Sequence, residues 1–159
     1  MTGAGRVQVG GLGIEVLDLP APPGVAGSVG SFGSPGSSGS SGQGGRAPLV
    51  LLHEGLGSVG LWRGFPAALH GATGRRLIAF SRYGHGRSAP PPRARTPAFF
   101  HEEALEVLPE LFAALGVVDP VLVGHSDGAS IAVIYAAHQP VSALVLLAPH
   151  VFVEDVTVQ

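Results

Sequence analysis

Two glycine-framed stretches of this 159-residue chain carry residue types that could do chemistry. The first is Gly124-His125-Ser126-Asp127-Gly128, set between the apolar run 120–123 and a second apolar stretch that continues to 139. A serine spaced between two such glycines, with strand before it and helix after, suits a sharp turn that lifts the hydroxyl as a nucleophile. Gly124 and Gly128 leave room for strand and helix to approach closely. At the helix start, the Asp127 N–H is placed to donate to a developing oxyanion. The plainer alternative is an ordinary tight turn with Ser126 as helix N-cap. His125 and Asp127 make poor proton acceptors for Ser126, because consecutive residues on a sharp turn point apart.

The second stretch is Gly55-x-Gly57-x-x-Gly60, just after the apolar run 48–52. It spells a dinucleotide-binding turn, in which glycine backbone and a helix N-terminus hold a pyrophosphate. It equally suits a loop whose amides hold an oxyanion. Ser81-Arg82, about 20 residues further on, could meet the 2′-phosphate of NADP. Three points weigh against the nucleotide. His53 and Glu54 separate the strand from the first glycine, where the fingerprint has none. The helix would carry Gly64 and Pro66 inside it, and an interior proline costs about 3 kcal/mol. Finally, the Ser126 turn is left unexplained.

The elements that must position these residues follow a βα rhythm. Apolar strands are expected at 49–52, 77–80, 120–123 and 143–147, with helices around 66–70, over 96–116 with a kink at Pro109, and over 126–139. Strands without polar alternation, separated by helices, mean a parallel sheet covered on both faces, an α/β fold. Residues 6–20 alternate about Gly10-Gly11 and read as a β-hairpin. Residues 20–47, almost entirely Gly, Ser, Pro and Ala, read as a disordered insertion between this hairpin (1–19) and the core (48–159).

Composition narrows the function classes. The net charge is −2 and all nine basic residues are arginine, without a basic run, so no nucleic-acid footprint is present. The absence of lysine beside so much Ala, Gly and Pro looks like the codon bias of a GC-rich genome. There is no cysteine, which removes disulfides and a thiol nucleophile. The N-terminal residues lack a signal-peptide core, and no apolar run approaches the roughly 20 residues of a membrane span, so a cytoplasmic location is expected.

Taken in order and spacing, these motifs resemble the α/β-hydrolase family, over everything except the insertion. VQVGGLGIEVLDL resembles the first two strands, LVLLHEGLGSVGLW the third strand and oxyanion loop, SRYGHGRS the loop after the fourth, and VGHSDGAS the nucleophile elbow. The resemblance implies a three-layer sandwich with a mostly parallel sheet, and a serine hydrolase working through an acyl-enzyme. Ser126 would be the nucleophile, with Gly124, His125 and Gly128 completing the elbow. The N–H groups of Gly55 and Asp127 would form the oxyanion hole, and His53 would shape the loop. The substrate would be a small ester, or a carbon–carbon bond beside a carbonyl, with no cofactor and no metal. Two departures stand out: Glu54 replaces a usual glycine, and Ser81 stands where the family usually has Asp, a change expected to affect loop packing.

The family order places the acid and then the base histidine after the serine, and no segment here matches that histidine motif. His150, at the same sheet edge as the elbow, and Glu154 and Asp155 just beyond it read as ordinary loop residues. His85 and His101 read likewise, and HEEAL lacks the second histidine of a zincin site. The chain therefore looks C-terminally truncated, with a non-catalytic fragment or binding module as the alternative role. Its last strand is expected to be an exposed edge open to self-association.

Overall fold

The computed structural model describes residues 5–23 and 45–150. Most of the 20–47 insertion lies outside these, as do Glu154 and Asp155. The expected hairpin is present: β1 (Gly5–Val9) pairs antiparallel with β2 (Leu12–Leu19), Val9 opposite Leu12. Gly10 and Gly11 both have positive φ, 54° and 76°, as a two-residue turn matched to the strand twist requires.

Four further strands follow: β3 (Leu49–Leu52), β4 (Leu77–Phe80), β5 (Val121–His125) and β6 (Ala143–Leu147). The sheet order is β1-β2-β4-β3-β5-β6, parallel from β4 to β6 and antiparallel through the hairpin. β3 and β4 are buried at every residue because period-two alternation sends neighbours to opposite, equally covered faces. Val50, Leu52, Ile78, Phe80 and Leu122 pack with Leu108, Leu111, Phe112 and Ile131 on one side. Leu51, Ala79 and Val123 pack under Trp62 and Leu69 on the other. Helix α1 (Phe65–Thr73) thus covers the second face, while α2 (Phe99–Glu102), α3 (Leu108–Leu115) and α4 (Asp127–Ala136) cover the first.

Two details depart from the expected elements. β5 runs on to His125, so the strand delivers the chain directly into the serine turn. The helix containing Pro109 is relieved upstream of the proline, by a π-helical segment over Glu103–Val107 joining α2 to α3. Proline lacks an N–H and crowds the carbonyl four residues back, and a wider turn there accommodates both demands. The Gly55–Gly60 loop opens only a 3₁₀ turn, Val59–Trp62, and α1 begins at Phe65 with Pro66 in its first turn. A proline there forfeits nothing, because that N–H has no helical partner anyway.

β6 is the last strand in the sheet order, with Val145 and Leu147 exposed. No helix among the described residues is long and apolar enough to cross a membrane.

Candidate active site

The C-terminal ends of β3, β4, β5 and β6 bring His53, Arg82, Ser126 and His150 to one edge of the sheet. In parallel α/β sheets this edge is where ligands bind. Ser126 sits there at φ 52°, ψ −118°. For a residue with a β-carbon such backbone costs about 1–3 kcal/mol and persists only where its surroundings over-determine it. They do so here. The Ser126 N–H donates to the Leu147 carbonyl at 2.8 Å, and its carbonyl accepts from the N–H groups of Ala129 and Ser130. A β-carbon at Gly124 would lie 2.5 Å from the Ala129 Cα, and one at Gly128 would overlap the Leu52 carbonyl oxygen. Both glycines are therefore demanded by close approach of β3, β5 and α4.

The Ser126 hydroxyl makes no hydrogen bond to the amides of α4. Ser126 thus holds the N-cap position of α4 without spending its hydroxyl on the helix. Instead Oγ lies 3.2 Å from His150 Nε2.

Around the loop after β3, His53 is buried and bonded at both ring nitrogens. Nδ1 lies 2.7 Å from the Glu54 carbonyl, and Nε2 accepts the Arg82 main-chain N–H at 3.0 Å. This pair of partners requires a neutral ring with its proton on Nδ1. Burial, then the neighbouring Arg82 charge, push the His53 pKa down to about 3. The unfolded chain takes up a proton below about pH 6.5, whereas the fold resists one. The stability His53 contributes is therefore complete above pH 6.5 and is lost as pH falls toward 3, by about 1.4 kcal/mol per unit. Urea midpoints measured at pH 7 and pH 4.5 will show this slope, and His53→Gln will flatten it; equal slopes in both chains would contradict the assignment.

Arg82 is 2% exposed. Its Nη2 donates to the Glu54 carbonyl at 2.8 Å and lies 3.6 Å from Asp127 Oδ2, so one guanidinium ties the loop to the elbow. A group so placed cannot reach a nucleotide phosphate, and Ser81 is fully buried beside it. Together with the 3₁₀ turn that Gly60 enters in place of an α-helix, this weighs against the NADP alternative. The Glu54 side chain turns back to accept the Leu56 N–H at 2.7 Å.

Ser81, in place of the family's usual Asp, has an acid supplied from elsewhere. Its hydroxyl accepts the Val59 N–H at 2.9 Å and donates to Glu15 Oε2, on β2, at 2.8 Å. Arg87 adds main-chain and guanidinium bonds to the same carboxylate, at 2.9 and 2.7 Å. Burial pushes the Glu15 pKa up, but the bonds from Arg87 and Ser81 outweigh it and hold it below the usual range. The loop is thus packed by a carboxylate that crosses from the hairpin.

The main-chain N–H groups of Gly55 and Asp127 have no acceptor among the described residues. The two residues adjoin: a β-carbon on Gly55 would lie 3.0 Å from Asp127 Oδ2. Beside them opens a cleft of about 260 Å³, walled by His53, Leu61, Trp62 and His125. His85 packs its ring against His53, centroids 5.0 Å apart, with its Nε2 2.6 Å from Arg95, while His101 is exposed on α2. His150 is the residue that motif order set aside. Its place just after β6, the strand beside β5, is the one sequence signal that points here.

A family model for the alpha/beta hydrolase fold matches residues 47–158. The chain belongs to the α/β-hydrolase fold family. Relatives of this family similar to it include a (lyso)-N-acylphosphatidylethanolamine lipase from Bos taurus, 34% identical over 106 residues, 65% of this chain and 30% of that protein. A second is a 1-acylglycerol-3-phosphate O-acyltransferase from Sus scrofa, 35% identical over 69% of this chain and 31% of its own length. The chain therefore spans under a third of these curated relatives. Among solved α/β-hydrolase-like structures, the haloalkane dehalogenase DatA from Agrobacterium tumefaciens C58 superposes over 92% of this chain and 41% of that one, with TM-score 0.66 and 25% identity. A bacterial membrane phospholipase A superposes over 96% of this chain and 41% of its own, with TM-score 0.71 and 22% identity, a likeness of fold.

Proposed function

We propose that this chain carries the nucleophile and oxyanion site of a serine-dependent acyl hydrolase acting on a small ester. One observation carries the reading: Ser126 is held in strained backbone with its hydroxyl free of the helix, beside two main-chain N–H groups that have no acceptor among the described residues. A turn that needed only an N-cap would spend its hydroxyl on the helix and relax its φ. In the proposed reaction Ser126 Oγ attacks the ester carbonyl, and the oxygen that becomes negative accepts from Gly55 and Asp127 N–H. The alcohol departs, and water then releases the acid from the acyl-serine. His53 Nδ1 and Arg82 Nη2 both meet the Glu54 carbonyl, so we assign the two residues the role of holding the Gly55 loop.

The cleft of about 260 Å³ beside the Gly55 loop, walled by Leu61 and Trp62, offers apolar surface to an acyl group. The relatives' names, a lipase and an acyltransferase, favour acyl esters over carbon–carbon cleavage. No group in the scheme requires a metal or cofactor.

Turnover of short-chain p-nitrophenyl esters tests the reading. The chain is expected to hydrolyse them faster than its Ser126→Ala variant. Equal turnover in the two would favour a non-catalytic binding role.

A further inference from the structure

A buried network centred on Glu15, in the N-terminal hairpin, reaches the cleft through a single hydroxyl. The 3₁₀ turn Val59–Trp62 carries two of the cleft walls, Leu61 and Trp62, yet its own cap residue Ser58 makes no side-chain bond to it. The first N–H of such a turn has no partner within it and needs one from elsewhere. Ser81, just after β4, supplies it: its Oγ accepts the Val59 N–H at 2.9 Å. Ser81 is fully buried, and its one hydroxyl proton goes to Glu15 Oε2 at 2.8 Å. The same oxygen accepts the Arg87 main-chain N–H at 2.9 Å, and Oε1 accepts Arg87 Nε at 2.7 Å. Donors thus converge on both oxygens, which a carboxylate satisfies and an amide, with one oxygen, does not. Gly86, at φ 52°, makes room for this, since a β-carbon there would overlap Glu15 Oε2 and Ser81 Oγ.

We infer that Glu15 is a positioning residue for the cleft. Its carboxylate aims the Ser81 hydroxyl, and Ser81 in turn holds the Val59 N–H that sets Leu61 and Trp62 in the wall. The part that concerns substrate rests on the ester reading of that cleft. A serine hydroxyl has one proton and rotates to suit its neighbours. With an acceptor-only group fixed on one side, the proton has one destination and a lone pair is left for Val59. Burial raises the Glu15 pKa, but the bonds from Arg87 and Ser81 outweigh it, so the group is an acceptor at neutral pH. The loop after β3 is therefore held at two places by different residues. His53 and Arg82 meet the Glu54 carbonyl beside Gly55, while Glu15 acts through Ser81 at Val59. Losing the second hold displaces the wall and leaves Ser126 and the Gly55 amide in place. Substrate binding then weakens while the chemical step does not.

Trp62 is the only tryptophan of the chain, half-buried against Leu51 and Ala79, so its fluorescence reports the wall directly. The test compares wild type, Glu15→Gln, Ser81→Ala and the double variant in the full chain. The readouts are Trp62 emission, and KM and kcat for short-chain p-nitrophenyl esters. Each variant is expected to shift the emission to the red and to raise KM about 5-fold, the worth of about one hydrogen bond, with kcat unchanged. Because Glu15 acts through Ser81, the double variant should match Ser81→Ala in both readouts instead of adding the two effects. A Glu15→Gln chain that melts lower but keeps the wild-type emission and KM has lost stability alone, and overturns the inference. Effects that add in the double variant overturn it too. Should Glu15→Gln not fold, Ser81→Ala decides, since it removes only the linking hydroxyl: wild-type emission there overturns the inference, and a red shift upholds it. A wild type that turns over no ester removes the acyl reading, and the emission comparison still decides the role of Glu15.

Discussion

Ser126→Gly is expected to lose ester turnover by about 10³-fold or more while gaining stability. The activity loss follows from removing the attacking oxygen, since deleting a serine nucleophile leaves only the oxyanion site and binding to act on substrate. The stability gain follows from the backbone. At φ 52°, ψ −118° the serine β-carbon carries about 1–3 kcal/mol of strain that glycine does not. Glycine gives back about 0.5–1 kcal/mol through the greater freedom of the unfolded chain, leaving a net gain of about 1 kcal/mol. Ser126→Ala keeps the β-carbon and should match the activity loss without the gain. Thermal melts of the three chains check this. A glycine variant less stable than the alanine variant would show that the turn is not strained.

Arg82→Met should be costly to both stability and rate. The guanidinium is buried against Asp127 and within the field of buried Glu103, whose carboxyl burial already pushes upward in pKa while Arg82 pulls it back. Breaking a buried ion pair by removing one partner costs about 3–5 kcal/mol. The low end, about 3 kcal/mol, is expected, because Glu103 can take up a proton once the cation is gone. In a domain of this size that lowers the melting temperature by about 6–12 °C. The rate effect has a separate origin. Without the bond to the Glu54 carbonyl the Gly55 amide is free to drift, and a misplacement of about 1 Å can cost about 10²-fold. Arg82→Lys retains charge but ends one bond short of the Nη2 that meets both Glu54 and Asp127, so its melting temperature should recover more than its rate. Recovery of both together would contradict the positioning role.

These two sites also mark where reading the sequence succeeds and where it stops. The elbow is legible because its constraints are local: an apolar strand, two glycines and an apolar helix within a few residues of Ser126. β3 and β4 are legible for the same reason, since a short, wholly apolar run needs cover on both faces wherever it lies. Arg82 stands out in the sequence only through the disfavoured nucleotide alternative, in which it could meet a 2′-phosphate. Its burial follows from the packing of β4's end under the loop after β3, which no spacing records. The role of Glu15 is hidden likewise, because it depends on β2 pairing antiparallel with β4 across the sheet. His150 lies between these cases. Its sheet edge is predictable from the strand before it, but its distance to Ser126 depends on the β5–β6 register and on contacts from Ser130 and Phe100.

The central claim is that Ser126 is a nucleophile and not a turn residue. Incubating the full chain with a fluorophosphonate and locating the adduct by peptide mass spectrometry tests this most directly. The account predicts one adduct, on the peptide containing Ser126, and none at that site in Ser126→Ala. Equal labelling of the two chains, or an adduct confined to another residue, would contradict it.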